Sequence, residues 1–303
     1  MSAPHDVRSG LEFEWLVHDL CNYRCPYCAV SGQRREIQPW LVNERPVAEW
    51  IAAWDRIADL YGPAWIRLTG GEPTRLPGFW DLLGAMTRRH SVSFDTNMSW
   101  SRDEIRRFMA LVPRDRTTVD VSLHPTEVDM EEVLIKSVML KERGYKLIAR
   151  LVGYPPLLEQ APRLRSLFES AGLRFIINPY QGEFEGRQFP KDYTAAERAL
   201  VQGANSTLDT SRADDREQVE IAAHILRMHV ESPRGRLCRS GHIYARVMHD
   251  GAVYRCQPYE SRGWEKLGSL FDLDFGLRPA PTPCRSDICE FEYKYLVDAE
   301  VVR

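Results

Sequence analysis

The sequence predicts an α/β protein built on a parallel sheet, either open or partly closed into a barrel. Two observations predict it. Short apolar runs alternate with amphipathic helical patterns from Leu11 to about Asn178, and they make six consecutive β-α units. In either arrangement a ligand site sits at the carboxyl ends of the strands.

The elements follow in order. Leu11 to Val17 reads as a first strand feeding a cysteine-rich loop. Val47, Trp50, Ile51, Trp54 and Ile57 recur at helical spacing, and Gly62 ends that helix. Ala64 to Leu68 is a second strand, running into Thr69-Gly-Gly-Glu-Pro-Thr74. Phe79 to Arg89 is helical and Val92 to Thr96 is a third strand. Ser101 with Glu104 forms a capping box for the next helix, and Thr117 to Leu123 is a fourth strand. Asp129 to Arg143 is a helix stopped by Gly144, Tyr145 to Val152 a fifth strand. Leu157 to Ala171 is helical, interrupted or started by Pro162, and Leu173 to Asn178 is a sixth strand. The strand ends carry the Cys21 loop, Gly70-Gly71-Glu72, Asn97, His124, Gly153 and Tyr180.

Beyond the sixth strand the character changes. Gly182 to Pro190 reads as a charged, glycine-rich loop, Thr194 with Glu197 caps a short helix, and Gly203 to Asp215 reads as a linker. Glu217 to Val230 is an amphipathic helix. Ile243 to Met248 and Ala252 to Tyr254 flank Asp250-Gly251, a strong hairpin turn. A helix-like segment is expected from Glu290. The chain thus divides into a core over 1–182, a helical connection over 183–233 and a small α+β unit over 234–303.

With 44% hydrophobic and 27% charged residues, the 303-residue chain has an ordinary globular composition. A formal charge of −3 argues against a nucleic-acid partner, and the local run Arg234, Arg236, Arg239 reads as a solvated turn or a phosphate site. The first residues lack the pattern of a signal peptide, and no stretch has the apolar length of a membrane span. The expected location is cytoplasmic, where clustered thiols more often bind metal than form disulfides. The seven cysteines split into three near the start and four near the end, with none between Cys28 and Cys238.

Cys21-Asn-Tyr-Arg-Cys25-Pro-Tyr-Cys28 places three thiolates in one loop directly after a strand. Such a loop can ligate three irons of a cubane and leave the fourth iron open to a chelating substrate, whereas electron-transfer clusters use four thiolates. The alternative is structural zinc, which needs a fourth ligand, and His18 is the nearest.

The triplet resembles the Cys-x-x-x-Cys-x-aromatic-Cys motif of the radical S-adenosylmethionine (radical SAM) superfamily, with Tyr27 in the aromatic place. Thr69-Gly-Gly-Glu-Pro-Thr74 is similar to the Gly-Gly-Glu segment of that family. The resemblance implies a partial (β/α)6 TIM-like barrel and a [4Fe-4S] cluster on Cys21, Cys25 and Cys28. It also implies S-adenosylmethionine held by Tyr27, Gly70, Gly71, Glu72 and Pro73. Asn97 resembles the family's third-strand end, where Met98 here replaces a glycine. Ser122 and Arg150 match positions that contact the ribose or carboxylate in related enzymes, with a plain strand hydroxyl and a buried ion pair as alternatives.

Cys238, Cys256, Cys284 and Cys289 are four soft ligands in a small irregular unit, and zinc or iron–sulfur suits them on chemistry alone. Their arrangement resembles the twitch domain, a shortened SPASM domain, which implies a second, auxiliary [4Fe-4S] cluster. The wide spacing of Cys284 and Cys289 departs from that pattern.

As the resemblance implies, a reduced cluster cleaves S-adenosylmethionine to a 5′-deoxyadenosyl radical that takes hydrogen from a substrate. If both clusters are fully ligated no free thiol remains to quench a substrate radical. That favours a dehydrogenase-type, two-electron oxidation. If one C-terminal cysteine is not a ligand, Cys256 is the candidate hydrogen donor. His124, Glu183 and Glu185 are candidate proton acceptors and Tyr180 a candidate quencher. No extra domain precedes the first strand, and the short core with a twitch-like tail resembles enzymes acting on aminoglycosides. The expected substrate is therefore a small polar, carbohydrate-like molecule, with flavodoxin or ferredoxin as electron donor. A radical epimerase or a maturase modifying a ribosomal (RiPP) peptide is the alternative within the family. A non-catalytic zinc protein is the alternative outside it.

Overall fold

The computed structural model describes residues 10–28, 41–206, 208–228, 232–289 and 292–297. Its centre is a β-α succession: β1 (Leu11–Leu16), α1 (Val47–Tyr61), β2 (Ala64–Thr69), α2 (Phe79–Met86), β3 (Ser91–Thr96) and α3 (Arg102–Leu111). It continues with β4 (Thr117–Leu123), α4 (Met130–Glu142), β5 (Lys146–Val152), α5 (Pro155–Leu158), α6 (Ala161–Ser170) and β6 (Arg174–Asn178). Strands β1 to β6 pair in parallel, each with the next. This is the α/β fold with a large parallel sheet that the sequence predicts.

Local chemistry sets the boundaries. The Ser101–Glu104 capping box opens α3, Asp129 caps α4 through the Glu131 N–H, and Gly62 (φ 84°) closes α1 by donating to the Ala58 carbonyl. Pro162 lies in the first turn of α6, where its missing N–H costs nothing, so the helical stretch is interrupted there, as the sequence allows, with the short α5 before it.

Along each strand, alternate residues face the helices. Phe13 and Trp15 of β1 meet Trp54 and Trp50 of α1 at centroid distances of 5.4 and 4.2 Å. Phe94 of β3 packs on Phe79, Trp100 and Phe108. All these rings are essentially fully buried, and removal of any one costs roughly 3–5 kcal/mol.

After β6 come β7 (Gly182–Phe184), β8 (Arg187–Phe189), α7 (Ala195–Asn205) and α8 (Ala213–Ile225). The predicted loop over 182–190 is thus an antiparallel hairpin. Glu185 and Gly186 both have positive φ (50° and 73°), as a two-residue hairpin turn requires, but Glu-Gly is a weak signal for one. The predicted linker over 203–215 is correspondingly shorter, because α7 runs through Asn205 and α8 starts at Ala213 rather than Glu217. The predicted end of that helix, Val230, lies outside the described residues.

The remaining elements are β9 (Leu237–Cys238), β10 (Tyr244–Val247), β11 (Ala252–Tyr254), α9 (Gln257–Ser261), β12 (Lys266–Ser269) and β13 (Thr282–Pro283). Strands β10 and β11 form the expected hairpin, yet it does not stand alone. Strand β10 pairs in parallel with β1, giving a nine-stranded sheet ordered β12-β11-β10-β1-β2-β3-β4-β5-β6. The helix-like segment expected from Glu290 is a 3-10 turn over Glu292–Tyr295, and residues 290–291 and 298–303 lie outside the described residues.

The β6 edge is covered rather than left open. Buried Asn205 at the end of α7 accepts from the Ile177 N–H at 2.8 Å and donates to the Ile177 carbonyl at 3.0 Å. One amide side chain therefore stands in for a neighbouring strand. Among the described residues no helix is long and apolar enough to cross a membrane.

Candidate active site

Chain reversals at the carboxyl ends of β1, β2 and β3 bring the predicted motifs together. After β1, residues 18–20 form a strap that the β2 end grips from below: Gly71 N–H donates to the His18 carbonyl at 2.7 Å, and Glu72 N–H to the Leu20 carbonyl at 2.8 Å. A Cβ on Gly70 would run into the His18 carbonyl oxygen, and one on Gly71 into that of Leu20; Gly70 also has φ 137°. The paired glycines are thus required by the strap that carries the cysteine loop. The sequence alone assigned them to close approach of a ligand.

Glu72 is buried, and its carboxylate is surrounded by donors. Oε1 accepts from the Thr74 hydroxyl at 2.6 Å and the Thr96 hydroxyl at 2.9 Å; Oε2 accepts from the Asn97 N–H at 2.7 Å. Burial nevertheless raises its pKa. Oε2 keeps acceptor capacity for a cationic ligand group. Buried Pro73 opens the following 3-10 turn. Asn97 places its Nδ2 3.0 Å from Asn22 Oδ1 and 3.8 Å from Cys21 Sγ, so the β3 end touches the cysteine loop directly.

His124, just past β4, closes the other side. Its Nδ1 lies 3.2 Å from Cys25 Sγ and 3.3 Å from the Tyr27 hydroxyl, and its ring lies nearly parallel to Tyr27 at 6.0 Å. Burial lowers the His124 pKa to about 4 and pushes the Cys25 thiol up to about 12. A thiol so disfavoured as an anion needs a cation to deprotonate it. Tyr27 also meets Tyr154 at 5.3 Å, and Tyr154 meets Tyr180 at 5.2 Å, giving an aromatic wall from the cysteine loop to the β6 end.

The other expected residues fall unevenly. Ser122 and Arg150 are register partners on β4 and β5. The Arg150 guanidinium is engaged in a buried ion pair with Asp120 (2.8 Å) and a bond to Gln218 of α8 (2.7 Å). The Tyr180 hydroxyl donates to the Glu183 backbone carbonyl at 3.1 Å. The Glu183 carboxylate is exposed and accepts from Gln188 across the β7–β8 hairpin. It is not brought to the cysteine loop.

Sequence reasoning missed the inner face of the sheet. Glu14, Arg67, Asp95, Asp120 and Arg150 lie on successive strands, with Arg246 on β10, and they form a belt of three arginines and three carboxylates. Arg67 donates to both Asp95 oxygens at 3.1 Å, and Arg246 pairs with Glu14. The signal was present: each strand carries a charge among apolar residues at the period of two that separates one face from the other. A groove of about 480 Å³ lies elsewhere, between α6 and α7 on the helical side of β6, lined by Pro162, Arg165, Glu169 and Leu200. It holds none of the residues above.

Cys238, Cys256 and Cys284 gather around Tyr244, Tyr259 and Tyr295 in a second buried cluster. The buried Cys289 thiol is close enough to Cys256 to raise its pKa together with burial, and its backbone carbonyl meets His224 of α8 at 2.7 Å. None of the seven cysteines is in a disulfide. The donor chemistry fits iron–sulfur clusters at both places. Backbone N–H groups already point at sulfur, Tyr23 at Cys21 Sγ and Ser240 at Cys238 Sγ, each at 3.4 Å. Such bonds stabilise cluster-bound thiolates and tune their potential. Among the described residues no three histidine, cysteine or acidic side chains converge as on a single ion.

Comparison with known proteins places this geometry. Residues 15–129 match the model of the Radical SAM superfamily. The mycofactocin maturase MftC of Mycobacterium ulcerans is 26% identical over 131 residues, 43% of this chain and 33% of the relative. A probable GTP 3′,8-cyclase of Thermococcus kodakarensis is 31% identical over 142 residues, 46% of this chain and 38% of the relative. The chain thus spans about a third of the length of these curated relatives. Among solved structures, Streptococcus suis SuiB bound to S-adenosylmethionine matches with a TM-score of 0.61 at 16% identity, over 88% of this chain and 64% of SuiB. Native anSMEcpe with bound AdoMet matches with a TM-score of 0.60 at 15% identity, over 87% and 79%. At these identities the two structures speak to the fold, and they agree with a partial TIM-like barrel. Residues 15–129 thus carry a radical SAM domain, which implies a [4Fe-4S] cluster and S-adenosylmethionine as its cofactors.

Proposed function

We propose that the chain oxidises a polar substrate by two electrons, with the substrate held against the inner face of the sheet. Cys21, Cys25 and Cys28 would hold the cluster that binds S-adenosylmethionine, and Cys238, Cys256, Cys284 and Cys289 an auxiliary [4Fe-4S] cluster. When bound, these groups supply the electron that cleaves S-adenosylmethionine, the radical that takes substrate hydrogen and an acceptor for a second electron.

The protein's own residues orient and exclude. Glu72 Oε2 and the strand-end backbone at Gly70 and Gly71 receive the ammonium of S-adenosylmethionine, and Tyr27, with Asn97 beside Cys21, lines its adenosyl side. His124 holds the Cys25–Tyr27 segment, and burial, which lowers its pKa to about 4, keeps it neutral and only weakly basic at physiological pH. Ser122 faces the same space beside Arg150. Tyr154 and Tyr180 close the wall against water.

The observation that supports the oxidation reading is the packing of Cys238, Cys256 and Cys284 in one buried cluster with Cys289 near Cys256; if all four hold an auxiliary cluster, no thiol is left to return hydrogen to a substrate radical. A peptide substrate is the second reading. The similarity to a mycofactocin maturase favours it, as does the fold shared with SuiB, which has been seen bound to its precursor peptide SuiA. A small carbohydrate-like substrate remains compatible with the polar inner face.

The test is anaerobic reconstitution with iron and sulfide, followed by iron analysis and measurement of 5′-deoxyadenosine under dithionite. About eight irons per chain with deoxyadenosine release is expected. Cys256→Ala should lower the iron content towards about four without touching the first site. Full iron retention in that variant would free Cys256 as a hydrogen donor and turn the reading to epimerisation.

A further inference from the structure

The inner belt is closed everywhere except at one place. Arg150 and Asp120 retain only 8% and 5% side-chain exposure, and Arg246 and Glu14 only 9% and 13%. Arg67 and Asp95 retain 30% and 20%, although they sit mid-strand inside the sheet's concave face. They precede Gly70 on the β2 side and Asn97 on the β3 side, so this partly exposed pair lies next to the strand ends that carry the site.

The pair is also incompletely satisfied. A single nitrogen of Arg67, Nη2, serves both Asp95 oxygens, while its buried Nε–H has no partner among the described residues. Arg150 Nε, at the neighbouring closed pair, is likewise buried and without one. A buried guanidinium N–H without an acceptor is costly, and a carboxylate is the acceptor its fork geometry matches.

The charge balance leans the same way. Asp95 and Asp120 are direct register partners on adjacent strands. Burial and the neighbouring Asp120 carboxylate raise the Asp95 pKa against the opposing pull of Arg67. The three arginines keep their charge at any working pH. Arg246 meets both Glu14 and Glu260, and Arg150 meets Asp120, so Arg67 is the arginine whose partner carboxylate is opposed by burial and by a second carboxylate.

We propose that the exposed part of the Arg67 guanidinium binds a carboxylate carried by the substrate, with Asp95 holding the guanidinium plane. This deepens the reading of the inner face as the substrate site, and it names the substrate class as carboxylate-bearing. Arg67 thereby fixes which substrate carbon faces the radical.

The probes are propionate and its uncharged isostere propionamide. They are titrated by ligand-observed NMR against reconstituted holoenzyme with S-adenosylmethionine in excess, so that the cofactor's own carboxylate site is filled. Propionate is expected to bind at least about tenfold more tightly than propionamide, the scale of one charge-assisted pair. Arg67→Gln should abolish that preference. Asp95→Asn removes the competing carboxylate and should tighten propionate several-fold, a gain that a purely structural ion pair would not give. Equal binding of the two probes to the unaltered protein would overturn the proposal, as would weakened propionate binding in Asp95→Asn with an unchanged melting curve. If Arg67→Gln does not fold, the other two arms decide. Deoxyadenosine release without substrate, measured on the same samples, tests the radical chemistry separately from this site.

Discussion

The Asn97 backbone N–H donates to Glu72 Oε2 at 2.7 Å, and this bond ties the end of β3 to the end of β2 directly beneath the cysteine loop. Two strand ends that carry different parts of the site thus share one buried carboxylate. Glu72→Gln keeps the shape but sets an amide against donors on both oxygens. Apo-protein stability should fall by about 1–3 kcal/mol, the cost of an unsatisfied buried group. Affinity for S-adenosylmethionine should fall with it, because the ammonium loses its anion. Urea denaturation and equilibrium dialysis measure the two effects; unchanged cofactor affinity would remove Glu72 from the ligand site.

Asn205 gives a prediction about the fold alone. It satisfies both backbone groups of Ile177, so Asn205→Ala strands a buried donor and a buried acceptor. The expected loss is roughly 2–4 kcal/mol. The bared β6 edge should also associate between copies, visible as light scattering during refolding. Asn205→Asp, which keeps the acceptor and loses the donor, should fall between the two.

His18 predicts a pH dependence. It is buried in the strap before the cysteine loop, and burial lowers its pKa from 6.5 to about 4. On acidification the unfolded chain takes up this proton first. The neutral folded form is therefore fully favoured above about pH 6.5 and loses ground as pH falls towards 4, by roughly 1.4 kcal/mol per pH unit at most. In the apo protein His18→Gln should flatten the stability profile between pH 6.5 and pH 4. A variant profile parallel to that of the unaltered protein would assign the acid sensitivity to other groups.

Much of the core was legible because it is written in local patterns. Thr117–Leu123 is matched residue for residue, and the Ser101–Glu104 and Thr194–Glu197 caps form as expected, since each needs only residues within one turn. The Glu185-Gly186 hairpin was not legible, because its turn residues are not the ones that announce such turns. The charged belt was visible only as isolated charges in apolar strands, and nothing in one strand says which residue of the next will oppose it.

By itself, the sequence determined the β-α succession and the placement of the two cysteine sets, because strand period, helix period and ligand spacing are properties of short segments. Tertiary structure decided the rest. It set the Gly70-Gly71 backbone against residues 18–20, joined the C-terminal hairpin to β1, paired Arg150 with Asp120 and left Arg67 only partly paired. Each of these depends on which strand lies beside which, and that is fixed by burial of the whole sheet rather than by any stretch of chain.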